Sequence, residues 1–285
     1  MQEQNVLRRM ESSQDSMTKS EKKIAALILK NPQEAQYMSI STLAETCRVA
    51  EATVSRFCKT LGYDGYNDFK LALAKTDGNT ASELGLATGS VTAADPVEEA
   101  AQKLFSVEIG AIRETLGLLN GAAITEAVRY LSGAQRVFCF GQGGSGIMAA
   151  EAYTRFSQVA PSFQWIQDSH LQAMAVSLCT VNDVILFFSY SGATTDICDL
   201  LRMAKAHGAK VILITHFEKC PATAYADVVL LCGSKETPLQ TGSVAAKMGQ
   251  LFLIDLLCTE YCLANPDFSN KNCEATAAAV ASKLL

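Results

Sequence analysis

The chain has 285 residues, a length that favours two domains over one. Hydrophobic residues make up 49% and charged residues 19%, which is ordinary for a globular protein, and a net charge of -5 excludes a nucleic-acid binder that relies on one large basic field. No apolar run is long enough for a membrane span or a signal peptide, so we expect a cytoplasmic protein with no membrane partner.

The first part of the chain is predicted to be helical. Thr18 and Glu21 have the spacing of a capping box that begins a helix ending at Lys30, where Asn31-Pro32 follows. Two short helices and a fourth one near Tyr66–Lys75 come next. We therefore predict an all-α domain over residues 1–78.

A linker and an α/β domain are predicted after this helical domain. Residues 79–96 are rich in small and polar side chains and form the predicted linker. Helices are expected at about 96–119 and 122–132. The second domain is assigned to residues 97–285.

Short apolar runs alternate with amphipathic stretches in the second domain, which favours a parallel sheet with helices on both faces. In such sheets ligands bind beyond the carboxyl ends of the strands. The predicted strands are Arg136–Phe140, Phe163–Ile166, Val184–Phe188, Val211–Thr215 and Val228–Leu231.

The two short helices have the pattern of a helix-turn-helix. They span Ile40–Thr46 and Ala52–Leu61, and Cys47–Ala50 forms the turn between them. The second helix is apolar on one face, while the opposite face carries side chains that can reach bases and phosphates. These candidate DNA-binding residues are Thr53, Ser55, Arg56 and Lys59. An amphipathic surface helix of an unrelated bundle fits the same spacing.

Residues 39–73 resemble the N-terminal domain of the bacterial RpiR-type transcriptional regulators. The resemblance is carried by Leu43-Ala-Glu, Ala52-Thr-Val-Ser-Arg-Phe, Leu61-Gly-Tyr and Gly65-Tyr-Asn-Asp-Phe-Lys. It implies a regulator that binds a double-stranded DNA operator. The family usually has Ser where this chain has Ala50, at the cap of the recognition helix. Losing a cap hydroxyl costs about 0.5–2 kcal/mol.

Two loops of the second domain are predicted to bind a phosphate group. Gly141–Gly146 follows the first strand and begins a helix, so free N–H groups can face an anion. Ser189–Thr195 follows the third strand in the same way and adds several hydroxyl groups. Tight turns without a ligand are the alternative.

A dinucleotide site is a second interpretation of the first loop. Gly141, Gly143 and Gly146 fit Gly-x-Gly-x-x-Gly, and Asp168 lies where a ribose-binding acid is expected. A repressor that senses a dinucleotide through a Rossmann-like domain therefore stays open. A hydroxyl-rich second loop argues against it.

Residues 124–264 resemble the SIS, or sugar isomerase, domain. Ser189-Tyr-Ser-Gly-Ala-Thr-Thr carries this resemblance, with Phe140-Gly-Gln-Gly-Gly-Ser before it. It implies a parallel-sheet sandwich that holds a sugar phosphate, with no cofactor. The candidate sugar-phosphate residues are Ser145, His170, Ser189, Ser191, Gly192, Thr194 and Lys247, and Glu236 is a weaker candidate. Ten cysteines without a Cys-x-x-Cys pair predict reduced thiols and no metal site.

The choice between regulator and enzyme depends on the same loops. SIS domains also catalyse aldose–ketose isomerisation, which needs a base next to the carbonyl and an acid for ring opening. The loops carry hydroxyl groups and one histidine but no evident carboxylate pair, so we expect a sensor without catalytic residues. DNA binding by a domain of nearly neutral charge requires doubling of the site, so we expect a homodimer or homotetramer.

Overall fold

The computed structural model describes residues 6–76, 91–234, 243–281 and 283. Two compact units can be distinguished, one comprising Met1–Val107 with Lys235–Ser243 and the other Glu108–Ser234 with Val244–Leu285. No helix within the described ranges is long and apolar enough to cross a membrane. The predicted domain limits at residues 78 and 97 stay a prediction, because the boundary between the units lies inside a helix.

The first unit is helical around one apolar core. The predicted capping box is present: Thr18 Oγ1 accepts a hydrogen bond from the Glu21 N–H, and the Glu21 carboxylate accepts one from the Thr18 N–H. Sequence analysis missed the first and third helices. The helices are α1 (Val6–Ser13), α2 (Lys19–Lys30), α3 (Pro32–Ala35), α4 (Ile40–Cys47), α5 (Glu51–Thr60) and α6 (Tyr66–Thr76).

Two further helices precede the sheet, as the sequence predicts. They are α7 (Val97–Gly117) and α8 (Gly121–Gly133). Residues 91–96 lead into α7, and the rest of the predicted linker lies outside the described residues.

A parallel five-stranded sheet forms the centre of the second unit. Each strand agrees with its prediction to within one residue at either end, because continuous apolar runs between turns define buried parallel strands well. The strand order is β2-β1-β3-β4-β5. The strands are β1 (Arg136–Gly141), β2 (Phe163–Trp165), β3 (Asp183–Phe188), β4 (Lys210–Thr215) and β5 (Val228–Leu231).

Helices cover both faces of the sheet. The remaining helices are α9 (Gly144–Phe156), α10 (Ser169–Ser177), α11 (Thr195–Ala206), α12 (Val244–Ala264) and α13 (Pro266–Ala281). One core joins α8, α9 and α12 to one face of the sheet, and a second core joins α10 and α11 to the other face. Alternate β1 residues such as Cys139 and Phe140 enter the two cores. The predicted sandwich is therefore confirmed.

Candidate functional site

The helix-turn-helix of the first unit is formed by α4 and α5. Helix α4 ends at Cys47, and Arg48 adopts a left-handed conformation with φ 55°. The Val49 N–H donates to the Ala44 carbonyl at 2.9 Å, which closes the turn. Helix α5 then begins after Ala50. The turn therefore sets the angle at which the second helix leaves the first.

Helix α5 separates an apolar face from a polar one. Val54, Phe57 and Cys58 are buried in the core of the first unit. Arg56 and Lys59 are exposed, and Thr53 and Ser55 are half-buried. The four predicted DNA-binding residues thus lie away from the buried face, and their role in DNA contact stays a prediction.

Ala50 is the N-cap residue of α5 and makes no side-chain capping bond. Thr60 stabilises the polar face of α5 in another way. Its Oγ1 donates to the Arg56 carbonyl at 3.1 Å and lies 3.4 Å from Glu21 Oε1. Hydrogen bonds, first of all from the Thr18 N–H, hold the pKa of Glu21 below its usual value, and the Arg56 charge adds to this effect. A carboxylate of the capping box is therefore linked electrostatically to the predicted DNA-binding face.

A topological switch point lies between β1 and β3 in the second unit. Gly141 at the end of β1 pairs with Phe188 at the end of β3, so the loops that follow them start side by side. The first loop leads into α9 on one face, and the second leads into α11 on the other. Ligands of doubly wound sheets bind at such a point.

The first loop, residues 141–146, depends on close backbone approach. A Cβ at Gly141 would lie 2.5 Å from the Ser145 carbonyl oxygen, so no larger residue fits there. Gly143 is the N-cap of α9 and has φ 54°. Ser145 is half-buried in the first turn of α9. The first N–H groups of α9 point toward this end of the sheet, although those of Ser145 and Gly146 already donate to the Gln142 carbonyl at 3.0 and 3.3 Å.

The second loop, residues 189–195, contains three predicted hydroxyl groups in different states. Ser189 is buried and its Oγ accepts the Gly192 N–H at 3.1 Å, while Ser191 Oγ accepts the Ala193 N–H at 3.4 Å. Each hydroxyl keeps its own proton to donate. Thr194 is exposed at the N-cap of α11 and makes no capping bond. The loop can therefore donate hydrogen bonds to an anion.

An open cleft of about 790 Å³ lies beside these loops. Its walls come from the first loop, the start of α9, the end of β2 and the first turns of α10 and α11. The cleft is lined by Gly141, Gln142, Gly143, Gly146, Ile147, Ala150, Trp165, Gln167, Asp168, Ser169 and Asp196. None of the seven predicted sugar-phosphate residues is among them. The predicted hydroxyl groups and the cleft are therefore neighbouring features, connected through the first turn of α11.

One candidate differs from its predicted position. His170 was expected to face the crevice, but its side chain is 94% exposed and Nδ1 lies 3.9 Å from Asp168 Oδ1. Its neighbours Asp168 and Ser169, the N-cap and the first residue of α10, line the cleft instead. Lys247 is half-buried in the first turn of α12. Glu236 lies outside the described residues.

Sequence analysis gave several polar groups at the cleft no sugar-phosphate role, and it considered Asp168 only for a dinucleotide. Two carboxylates, Asp168 and Asp196, line it, which corrects the expectation that these loops carry no such pair. Trp165 and Gln142 also contribute. The rule that strand ends form the ligand site identifies these positions, but the sequence does not tell which side chains turn toward the cleft.

The dinucleotide interpretation is not favoured by this architecture. A dinucleotide domain places its third strand beyond β2, whereas here β3 returns to the other side of β1, as in the flavodoxin-like order. Asp168 also caps α10, since its Oδ1 accepts the Leu171 N–H at 3.0 Å. The described residues include no cluster of acidic, histidine or cysteine side chains that could hold a metal ion.

Comparison with known proteins identifies both parts of the chain. Residues 4–80 match the model of the helix-turn-helix domain of the rpiR family, and residues 130–260 match the SIS domain. An HTH-type transcriptional regulator of Haemophilus influenzae is 36% identical over 89% of this chain and 88% of its own length. The chain belongs to the RpiR family of HTH-type transcriptional regulators. RpiR of Escherichia coli K12 is 30% identical, covering 94% of this chain and 89% of that protein.

HexR of Pseudomonas aeruginosa, another HTH-type transcriptional regulator, is 31% identical over 90% of this chain and 88% of its own length. Among solved structures, NanR of Vibrio vulnificus in complex with ManNAc-6P has a TM-score of 0.89 at 24% identity, covering 99% of this chain and 100% of NanR. The sugar isomerase domain of an RpiR transcription factor from Sphaerobacter thermophilus has a TM-score of 0.57 at 18% identity, covering 62% and 98%. Both likenesses concern the fold alone.

Proposed function

We propose that this RpiR-family regulator binds a double-stranded DNA operator through α5, with an affinity set by a sugar phosphate bound at the switch point of its SIS domain. The observation that carries the proposal is the pairing of Gly141 with Phe188. It starts two anion-binding loops side by side, each of which opens a helix. A phosphate at this point would face N–H groups of α9 and α11 together with hydroxyl groups of the second loop.

The side chains that line the cleft are suited to bind the sugar part of the ligand. Its polar side chains, Gln142, Gln167, Asp168 and Asp196, can accept hydrogen bonds from sugar hydroxyls, and Trp165 and Ile147 offer apolar surface. The structural neighbour NanR was solved with ManNAc-6P, a phosphorylated sugar derivative. Gly192, Ser189, Ser191, Thr194 and Ser145 are assigned to the phosphate and Lys247 to the sugar, while the exposed His170 is given no contact with the ligand.

Regulation follows from linkage between two binding equilibria. A ligand that binds one arrangement of a dimer better than the other shifts the population toward it. That arrangement sets the distance between two recognition helices, and therefore the fit to half-sites roughly 34 Å apart. We place this homodimer or homotetramer in the cytoplasm and assign it no cofactor.

Trp165 provides a direct test, because it is the single tryptophan of the chain and lines the cleft. Titration with ManNAc-6P and other sugar phosphates should change its fluorescence, whereas the dephosphorylated sugars should not. A ligand at 100 times its dissociation constant should stabilise the fold by about 2.7 kcal/mol. Equal affinity for sugars with and without phosphate would contradict the proposal.

Thr194→Asp places a negative charge where the phosphate is proposed to bind and should abolish the fluorescence change on titration. Thr125→Asp, at an exposed position on α8, is the matched control and should bind normally. Normal binding by Thr194→Asp would show that the phosphate lies elsewhere. The effect on DNA is measured by gel shift with duplexes selected from a random library, with and without the ligand.

An aldose–ketose isomerase is the second candidate, favoured by the two carboxylates at the cleft. We assign the role of sensor because the homologues are named as transcriptional regulators. Incubation with the bound sugar phosphate should leave its isomer ratio unchanged by NMR. Turnover that is lost in Asp196→Asn would make the chain an enzyme.

A further inference from the structure

The second loop, residues 189–195, where the phosphate is proposed to bind and which we call the phosphate loop, is connected to helix α7 by a short chain of hydrogen bonds within the second unit. Tyr190 lies inside the second loop, between the proposed phosphate ligands Ser189 and Ser191. Its hydroxyl donates a hydrogen bond to the Ser234 carbonyl at 2.8 Å. The Ser234 N–H in turn donates to Glu114 Oε2 at 2.9 Å, and Glu114 lies in the last turn of α7. Ser234 therefore connects the loop with the helix.

Tyr190 is held at both ends, so it can transmit a displacement. Its ring stacks on His216 with centroids 4.9 Å apart and an interplanar angle of 5°. Its carbonyl accepts hydrogen bonds from the His216 N–H at 3.1 Å and from Thr215 Oγ1 at 3.0 Å. A movement of the loop must therefore move the hydroxyl that contacts Ser234.

The backbone of Gly233 and Ser234 is packed just as closely against α7. The Gly233 N–H donates to Thr115 Oγ1 at 2.9 Å, and Thr115 is fully buried. A Cβ at Gly233 would lie 2.6 Å from the Glu114 Cβ, so the backbone there rests directly on α7. Ser234 has φ 84°, a left-handed conformation that is strained for a residue with a side chain. Two bonds to α7 and one to Tyr190 stabilise this conformation.

We propose that Tyr190 and Glu114 are positioning residues that transmit ligand occupancy of the phosphate loop to α7 through the backbone of Gly233 and Ser234. Helix α7 is the first helix after the DNA-binding domain along the chain, so the covalent connection from α5 to the sheet runs through it. The proposal rests on the proposed function, because it assumes that the ligand binds at the second loop.

The first test needs no ligand. Hydrogen exchange is measured on the full-length protein and on Tyr190→Phe, Glu114→Ala and Glu114→Gln. Tyr190→Phe and Glu114→Ala should accelerate exchange about 2–10-fold at Gly233, Ser234 and the last turn of α7, the range expected for one lost hydrogen bond. Glu114→Gln keeps an acceptor oxygen and should restore protection. Tyr153→Phe, at a partly exposed tyrosine on α9, is the control.

The second test adds inorganic phosphate and ManNAc-6P as probes. In the wild type, protection of residues 189–195 should extend to residues 111–117, and in Glu114→Ala it should stop at the loop. Protection that reaches α7 equally in both proteins would overturn the proposal, as would unchanged α7 exchange in the ligand-free variants. If neither probe protects the loop, the proposed ligand site fails, while the ligand-free comparison still decides the connection to α7.

Discussion

Gly192 lies directly against Cys220: a Cβ at Gly192 would sit 2.1 Å from the Cys220 sulfur. Gly192 also has φ 57°, and its carbonyl accepts the Ala222 N–H at 2.9 Å. Close packing and a left-handed backbone therefore coincide in the middle of the phosphate loop. The sulfur beneath the loop is buried, and burial raises the pKa of this thiol.

Gly192→Ala should destabilise the second unit, because it combines backbone strain of about 1–2 kcal/mol with a clash against Cys220. Gly143→Ala is a control for strain without a clash: Gly143 has φ 54° and ψ −126°, and a Cβ there meets no atom within 4 Å. Its loss of stability should come from backbone strain alone. Urea unfolding followed by Trp165 fluorescence measures both variants. A loss in Gly192→Ala no larger than the strain of about 1–2 kcal/mol would mean that the Cys220 contact is relieved without cost.

Asp183 should make the second unit sensitive to acid. Two hydrogen bonds from the Arg136 guanidinium, at 2.7 and 2.9 Å, are the main reason that the pKa of this buried carboxyl lies below its usual value. A lowered folded-state pKa gives stability that is complete above the unfolded-state pKa of about 3.9 and is lost as the pH falls below it. Asp183→Asn should therefore flatten the pH dependence of urea unfolding below about pH 4.

Asp183→Asn should also lower the free energy of unfolding by about 1–3 kcal/mol at neutral pH, because it leaves the Arg136 charge without its partner. Arg136 is about one-third exposed, and solvent limits the loss. Asp255→Asn breaks the exposed pair with Arg155 and should change stability by about 0–1 kcal/mol. If both variants lose the same amount, burial of Asp183 adds nothing to its ion pair.

Ala50→Ser should stabilise the recognition helix by about 0.5–2 kcal/mol, since the N-cap of α5 has an extended backbone and no side-chain acceptor. The gain is measured as slower hydrogen exchange of α5 amides. Ala52→Ser introduces the same side chain at an exposed helical position, where it cannot cap and should give no gain. Similar protection in both variants would assign the effect to something other than capping.

Arg56→Ala should remove about 1–3 kcal/mol of base discrimination if the guanidinium contacts guanine, because a bidentate contact specifies a base. Lys59→Ala should instead reduce the salt dependence of binding by about one phosphate contact. Both side chains are exposed, so folding should be unaffected. Gel shifts over a range of salt concentrations separate the two effects, and Lys30→Ala on α2 is a control. Unchanged specificity in Arg56→Ala would place base recognition elsewhere.

Sequence patterns predicted the fold more completely than the site. Strands such as Val228–Leu231 could be located because they are short, continuously apolar and bounded by turns. The helices α1 and α3 were missed, since eight- and four-residue helices carry little periodicity. Their formation depends on the shared core of the first unit.

The candidate ligand site could be predicted from the sequence only in part. Strand-end rules identified both loops, yet the contact of Tyr190 with Ser234 joins residues 44 positions apart. The orientation of His170, Asp168 and Asp196 likewise depends on how α10 and α11 start, not on local sequence. Tertiary packing determines which polar groups face a cleft, and no pattern within one segment records it.

The parallel sheet also determines the order in which the chain acquires structure. Arg136 on β1 pairs with Asp183 on β3, 47 residues later, so the centre of the sheet cannot close until that stretch of chain is available. The contacts of α4 with α5 are local by comparison. Because non-local pairing slows folding, we expect the N-terminal helices to fold first during synthesis and the sheet to form later. A newly made chain therefore gains the element proposed to contact DNA before it gains the element proposed to sense the ligand.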